Sequence, residues 1–201
     1  AREAGSSAVE MLRVDLSDYD SVVALADGLA ARGERLDLVI CNAGLMPRSA
    51  QANRHGHELL YAVHLFANFI LLGRLLRWGV IPNDVFSQSG EPGRSGTAIP
   101  RVVIVASEAH RSSNGLDFHH LGALVPYGVR DGLRHYGDSK LASVTFATEL
   151  ARRLRTAAGP SVAVHSLCPG PVDTQIGRAA PPLLKPILSS VMRAFFASPE
   201  A

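Results

Sequence analysis

Apolar positions follow two rhythms along this chain. Val22, Leu25, Ala26 and Leu29 recur at helical spacing, and Ser17 or Asp18 stands ready to cap that helix, with Gly33 to end it. Leu141, Val144, Phe146, Leu150 and Leu154 mark a second helix, from "HYGDSK" at 135–140 to about Thr156. Between such stretches lie short, nearly unbroken apolar runs: "LDLVI" at 36–40, "RVVIVAS" from Arg101 and "SVAVHSL" ending at Leu167. Runs of this kind suit parallel strands covered on both faces. "AVEMLRVDL", from Ala8 to Leu16, reads as another strand running into a turn.

A long apolar helix is predicted over 53–78. Its segment 59–76 approaches the length of a membrane span, yet it carries His64, Asn68 and Arg74, each costly in a bilayer core. A helix buried by protein on most sides is the better reading. Residues 82–100, polar and rich in Gly, Ser and Pro, read as a surface loop. A last amphipathic segment covers 181–197 and begins as a loop, with prolines at 182 and 186.

Strand and helix alternate, which predicts an α/β fold: a doubly wound, mostly parallel sheet in one domain spanning 1–201. Ligands of such sheets bind beyond the carboxyl ends of the strands. "NAG" at 42–44, Ser107 and Pro169–Gly170 all fall at that edge.

Composition narrows the function classes. A formal charge of +2 on 201 residues, with no dense Lys/Arg run, argues against nucleic acid. Cys41 and Cys168 each follow an apolar run and make no disulfide framework, so a reducing, cytoplasmic setting is expected. No secretory signal opens the sequence, which starts at Ala1 and not at methionine. His55 and His57, and the adjacent His119 and His120, lack a third ligand at zinc spacing, and no metal site is expected.

Tyr136 and Lys140 lie four apart, in what reads as a first helical turn, so phenol and ammonium share a face. The positive charge favours the phenolate and lowers its pKa, which suits proton exchange near neutral pH. An ordinary amphipathic helix start produces the same spacing.

Together, Asp15 in "VDL", "NAG" at 42–44, Ser107 in "VASEAH", "YGDSK" at 136–140 and "PGPVDT" at 169–174 resemble the short-chain dehydrogenase/reductase family. "GLDFHHL" and "SKLASVTFATELARRL" are similar to its retinol-dehydrogenase-like branch, which includes WW-domain oxidoreductases. The resemblance implies a Rossmann-like fold, carbonyl–alcohol chemistry and a nicotinamide cofactor, NADP(H) ahead of NAD(H). By it, Tyr136 is the acid/base, Lys140 lowers its pKa and holds the ribose, and Ser107 orients the substrate oxygen. Asp15 approaches the adenine, Asn42, Ala43 and Gly44 let the backbone pass close to the cofactor, and Pro169, Gly170, Val172 and Thr174 surround the nicotinamide. Asp15 also reads as a helix cap, and Pro169–Gly170 as a common turn.

The sequence departs from that family at two points. Its glycine-rich phosphate turn is expected upstream of Ala1, so the chain reads as lacking the first two strands and the last; "GEPGRSG" at 90–96 follows a helix and is no substitute. His64 stands where the family carries an asparagine whose kinked main chain holds a water in a proton relay, and a histidine can bind water, relay a proton or simply be satisfied by neighbours. The segment 181–197 falls where the family builds a substrate lid, which suggests an apolar carbonyl or alcohol substrate; it equally suits peripheral membrane contact. The helices at 53–78 and 136–156 are expected to pair copies into a homo-oligomer. The competing expectation is a non-catalytic interaction module that keeps the fold without a phosphate loop.

Overall fold

The computed structural model describes residues 9–87 and 98–170. Three parallel strands form its sheet: β1 (Leu38–Cys41), β2 (Arg101–Val105) and β5 (Ala163–Leu167), in the order β1-β2-β5. Leu38 pairs with Arg101, and Arg101 with Ala163, so all three strands end at one edge. Arg155–Thr156 (β3) and Gly159–Pro160 (β4) form a small antiparallel hairpin that leads into β5.

Helix α1 (Tyr19–Ala31) starts where Asp18 accepts a hydrogen bond from the Asp20 amide, and Gly33, at φ +66°, turns the chain out of it. Helix α2 runs continuously over Leu59–Arg77, with a π-helical turn at Ala62–Phe66. Helix α3 spans Val129–Arg153. Ala26, Leu72, Leu75, Leu76, Val102, Ile104, Leu150 and Leu154 join the three helices to the sheet in one core. α2 is long and apolar enough to cross a membrane by length and composition, but more than half of that stretch is buried by protein. Its Arg74, in the last turn, forks onto Asp27 of α1 at 2.7 and 2.8 Å.

Several expectations need correction. Residues 9–16 form no strand: a strand requires a neighbour to bond its amides and carbonyls, and no described strand lies beside them. The α/β fold class holds; the described helices lie on one sheet face, and Leu38 and Ile40 on the other are 55% and 57% exposed. The long helix begins at Leu59 rather than 53. Asn53 Oδ1 instead accepts from the His55 and His57 amides, Gly56 takes φ +82°, and Glu58 then caps the helix through the Leu60 and Tyr61 amides. α3 begins about two turns before Tyr136, which therefore sits inside the helix and not in its first turn. Of the 82–100 loop, the described start winds around a buried Asn83, whose Oδ1 accepts from the amides of Val85, Phe86 and Ser87.

Candidate active site

The carboxyl ends of β1 and β2 bring the chemical groups together from both sides. Ser107 lies just beyond β2 and opens a 3-10 turn over Glu108–Ser112, where its Oγ accepts from the Ala109 amide at 3.2 Å. α3 packs against this turn closely enough that a Cβ at Gly137 would stand 2.4 Å from the Ala109 carbonyl oxygen. That glycine is what allows Tyr136 to reach Ser107. Burial pushes the Tyr136 phenol above its usual range, and a hydrogen bond from Ser107 pulls it back.

Lys140, 4% exposed, donates from Nζ to the Val105 carbonyl at 3.0 Å, and the ammonium lies 5.6 Å from the centre of the Tyr136 ring. Burial pushes its pKa down to about 8. The net direction for Tyr136 is upward, with burial as the largest cause. The ammonium lies toward the ring and is bonded to main chain, so desolvation of the phenol outweighs it.

Asn42, Ala43 and Gly44 follow β1 as an exposed turn. A Cβ at Gly44 would lie 3.4 Å from His64 Nε2 and 3.6 Å from Lys140 Nζ, so the turn's bare backbone passes directly over both. His64 is buried beneath it, edge-on to Tyr136 with ring centroids 5.5 Å apart. Pro169 and Gly170 follow β5 in an exposed turn, with Gly170 at φ +78°. Val172, Thr174 and the 181–197 segment lie outside the described residues. Asp15 sits in the turn ahead of α1, its carboxylate bonded by the Ser17 amide and hydroxyl, which holds it below the usual carboxylate range. The helix-cap role read for Asp15 falls instead to Asp18.

Three features escaped the sequence. Ser139 and Ser143, one turn apart on α3, face α2 and are fully buried; their only signal was two serines on the apolar side of a helix. Buried Glu58 accepts from the Tyr127 hydroxyl at 3.0 Å, tying the approach to α3 to the start of α2. Asp18, Asp20 and His55 bring ligand atoms within 4.8 Å of one another. The Arg54 guanidinium pairs with both carboxylates and already supplies the positive charge there.

Comparison with known proteins agrees with this architecture. No family model matches the chain. It is 36% identical over 198 residues to human "Dehydrogenase/reductase SDR family member 13", covering 96% of this chain and 47% of the relative. It is 32% identical over 202 residues to human "Retinol dehydrogenase 14", covering 98% and 54%. A crystal structure of an uncharacterised protein from Mycobacterium paratuberculosis superimposes with a TM-score of 0.63 at 28% identity, over 89% of this chain and 58% of that one. A Burkholderia phymatum short-chain dehydrogenase/reductase in complex with NAD shares the fold at a TM-score of 0.56 and 24% identity, over 90% and 56%. The chain spans about half the length of the curated relatives it matches. Motif order, the Rossmann-like sheet and these relatives together establish that the chain belongs to the short-chain dehydrogenase/reductase family.

Proposed function

We propose that this chain carries the catalytic centre of an NAD(P)-dependent oxidoreductase that interconverts a carbonyl and an alcohol. The observation that carries the reading is the meeting of Ser107, Tyr136 and Lys140 at the carboxyl edge of the sheet, with Ser107 near enough to the phenol to offset part of the effect of burial and the ammonium buried behind it. A phenol held protonated by burial is a general acid, and Tyr136 delivers its proton to the carbonyl oxygen in reduction and recovers it from the hydroxyl in oxidation. Ser107 orients that oxygen and stabilises charge developing on it.

The donor set fits the nicotinamide half of a dinucleotide. Lys140 and Tyr136 offer donors to ribose hydroxyls, and the Asn42–Gly44 turn admits the cofactor against bare backbone. The cofactor supplies the hydride. NADP(H) ahead of NAD(H), an apolar small-molecule substrate and a homo-oligomer complete the proposal. The last is supported by an apolar groove of about 640 Å³ between α2 and α3, where Phe69 is 60% exposed and packs against Phe146.

The test uses full-length protein with NADPH and nonanal. Tyr136→Phe is expected to lower turnover by roughly 10²-fold or more, well beyond whatever NADPH affinity loses with the ribose contact. Wild-type turnover in the variant, or none in the wild type, would refute the reading and favour a non-catalytic module.

A further inference from the structure

Both ring nitrogens and the carbonyl oxygen of His64 are hydrogen-bonded. The Leu45 amide donates to Nε2 at 3.1 Å. A backbone N–H can only donate, so Nε2 is the acceptor and the ring hydrogen sits on Nδ1. Nδ1 lies 2.9 Å from Ser139 Oγ, which passes its own hydrogen to the Tyr136 carbonyl at 2.8 Å. The chain of donors therefore runs one way: Leu45 amide, imidazole, Ser139 hydroxyl, Tyr136 main chain.

The main-chain carbonyl of His64 is engaged as well. The π-turn takes the Ala67 amide to the Ala62 carbonyl, one residue further than an α-helix does. The His64 carbonyl accepts from Asn68 Nδ2 at 2.9 Å and from Ser143 Oγ at 3.1 Å, the latter sharing its single hydrogen with the Ser139 carbonyl at 3.0 Å. Both lone pairs of the carbonyl thus have protein partners.

Resting on the catalytic reading above, we infer that His64 is a positioning residue: its imidazole bolts the turn after β1 onto the helix carrying Tyr136 and Lys140, and passes no proton itself. A relay must accept a proton at one nitrogen and release one from the other. Here the acceptor nitrogen faces an amide that has no proton to give up, and the donor nitrogen ends on a peptide carbonyl by way of Ser139. What the ring does supply is a fixed placement of the Gly44 backbone against Lys140, two groups that the proposed cofactor lies beside. Burial and the nearby Lys140 charge push the His64 pKa down to about 3, which keeps the ring neutral throughout the physiological range.

The experiment compares His64→Gln with His64→Leu in the full-length protein. Glutamine offers one acceptor and one donor and replaces the clamp; leucine replaces the bulk alone. Expected are NADPH affinity and turnover near wild type for His64→Gln, with an unchanged pH profile, and a loss of about tenfold to hundredfold in NADPH affinity for His64→Leu. A glutamine variant as damaged as leucine, with an altered pH profile, overturns the inference, and so does a leucine variant that binds NADPH normally. If His64→Leu does not fold, nitrogen-15 NMR of the wild-type ring decides. An Nδ1–H signal constant from pH 5 to 9 is expected, and a titration or an Nε2–H form overturns the clamp. Failure of the catalytic reading shows separately, as unaltered turnover in Tyr136→Phe.

Discussion

Gly137→Ala adds one methyl group where α3 comes closest to the 3-10 turn after β2. A Cβ there falls 2.4 Å from the Ala109 carbonyl oxygen and 2.6 Å from Ser112 Oγ, where ordinary contact begins near 3.4 Å. The serine can rotate aside. The carbonyl is main chain, so helix and turn must part by up to about 1 Å. Ser107 moves with the turn, because it accepts from the Ala109 amide. Overpacking of this kind costs about 1–3 kcal/mol, and each kcal/mol lowers Tm by roughly 2–4 °C in a domain of this size. A misplacement near 1 Å lowers turnover by up to about hundredfold. Thermal unfolding and steady-state kinetics with NADPH and nonanal measure both effects, with cofactor affinity expected to hold. Gly28→Ala is the control: it lies inside α1 with nothing within 4 Å of the new atom, and should stabilise by about 0.5–1 kcal/mol. Wild-type Tm and turnover in Gly137→Ala would show that the turn does not depend on that contact, and the account of how Ser107 reaches Tyr136 would fall.

Lys140 makes stability depend on alkaline pH. Its folded value near 8 lies below the ordinary 10.5, so between those values the unfolded chain holds a proton that the folded chain has released. Stability therefore rises with pH across that window, by about 1.4 kcal/mol per unit. Urea titrations of the apo protein should show Lys140→Met more stable than wild type at pH 7, with the gap closing between pH 8 and 10.5; a constant gap refutes the burial argument. Glu58→Ala removes the cap of α2 and the partner of Tyr127, and should cost about 1–2 kcal/mol in chemical denaturation. An unchanged denaturation midpoint would mean that water replaces the carboxylate there at no cost.

The sequence carried what is local. Asp18 as a cap, Gly33 as a stop, β2 as an apolar run and the ordered motifs at the sheet's carboxyl edge each need only a few neighbouring residues to be read. The site's internal bonding was another matter. Nothing in "YAVHLF" announces a π-turn, because the partners that favour it, Ser139 and Ser143, lie about 75 residues away. The early start of α3 was hidden by Gly128 and Gly132, which look like loop residues until the helix is packed. The weight of burial on Tyr136 was hidden for the same reason. Spacing shows that two groups are neighbours, but only the packed structure shows which way an ammonium points and how dry the phenol is.

The π-turn in α2 also explains why that helix looks apolar on more than one side. One extra residue in a single turn rotates everything after it by about 100° relative to everything before it. Leu60 before the turn, and Leu72, Leu75 and Leu76 after it, are nonetheless all buried. Their phases match only because the extra residue is there. Losing one residue between Ala62 and Phe66 would therefore not merely shorten the helix. It would swing one half of the apolar stripe out of register with the other, exposing either the end that meets Tyr127 or the end that meets the sheet. In this segment the count of residues is constrained as tightly as the buried side chains themselves.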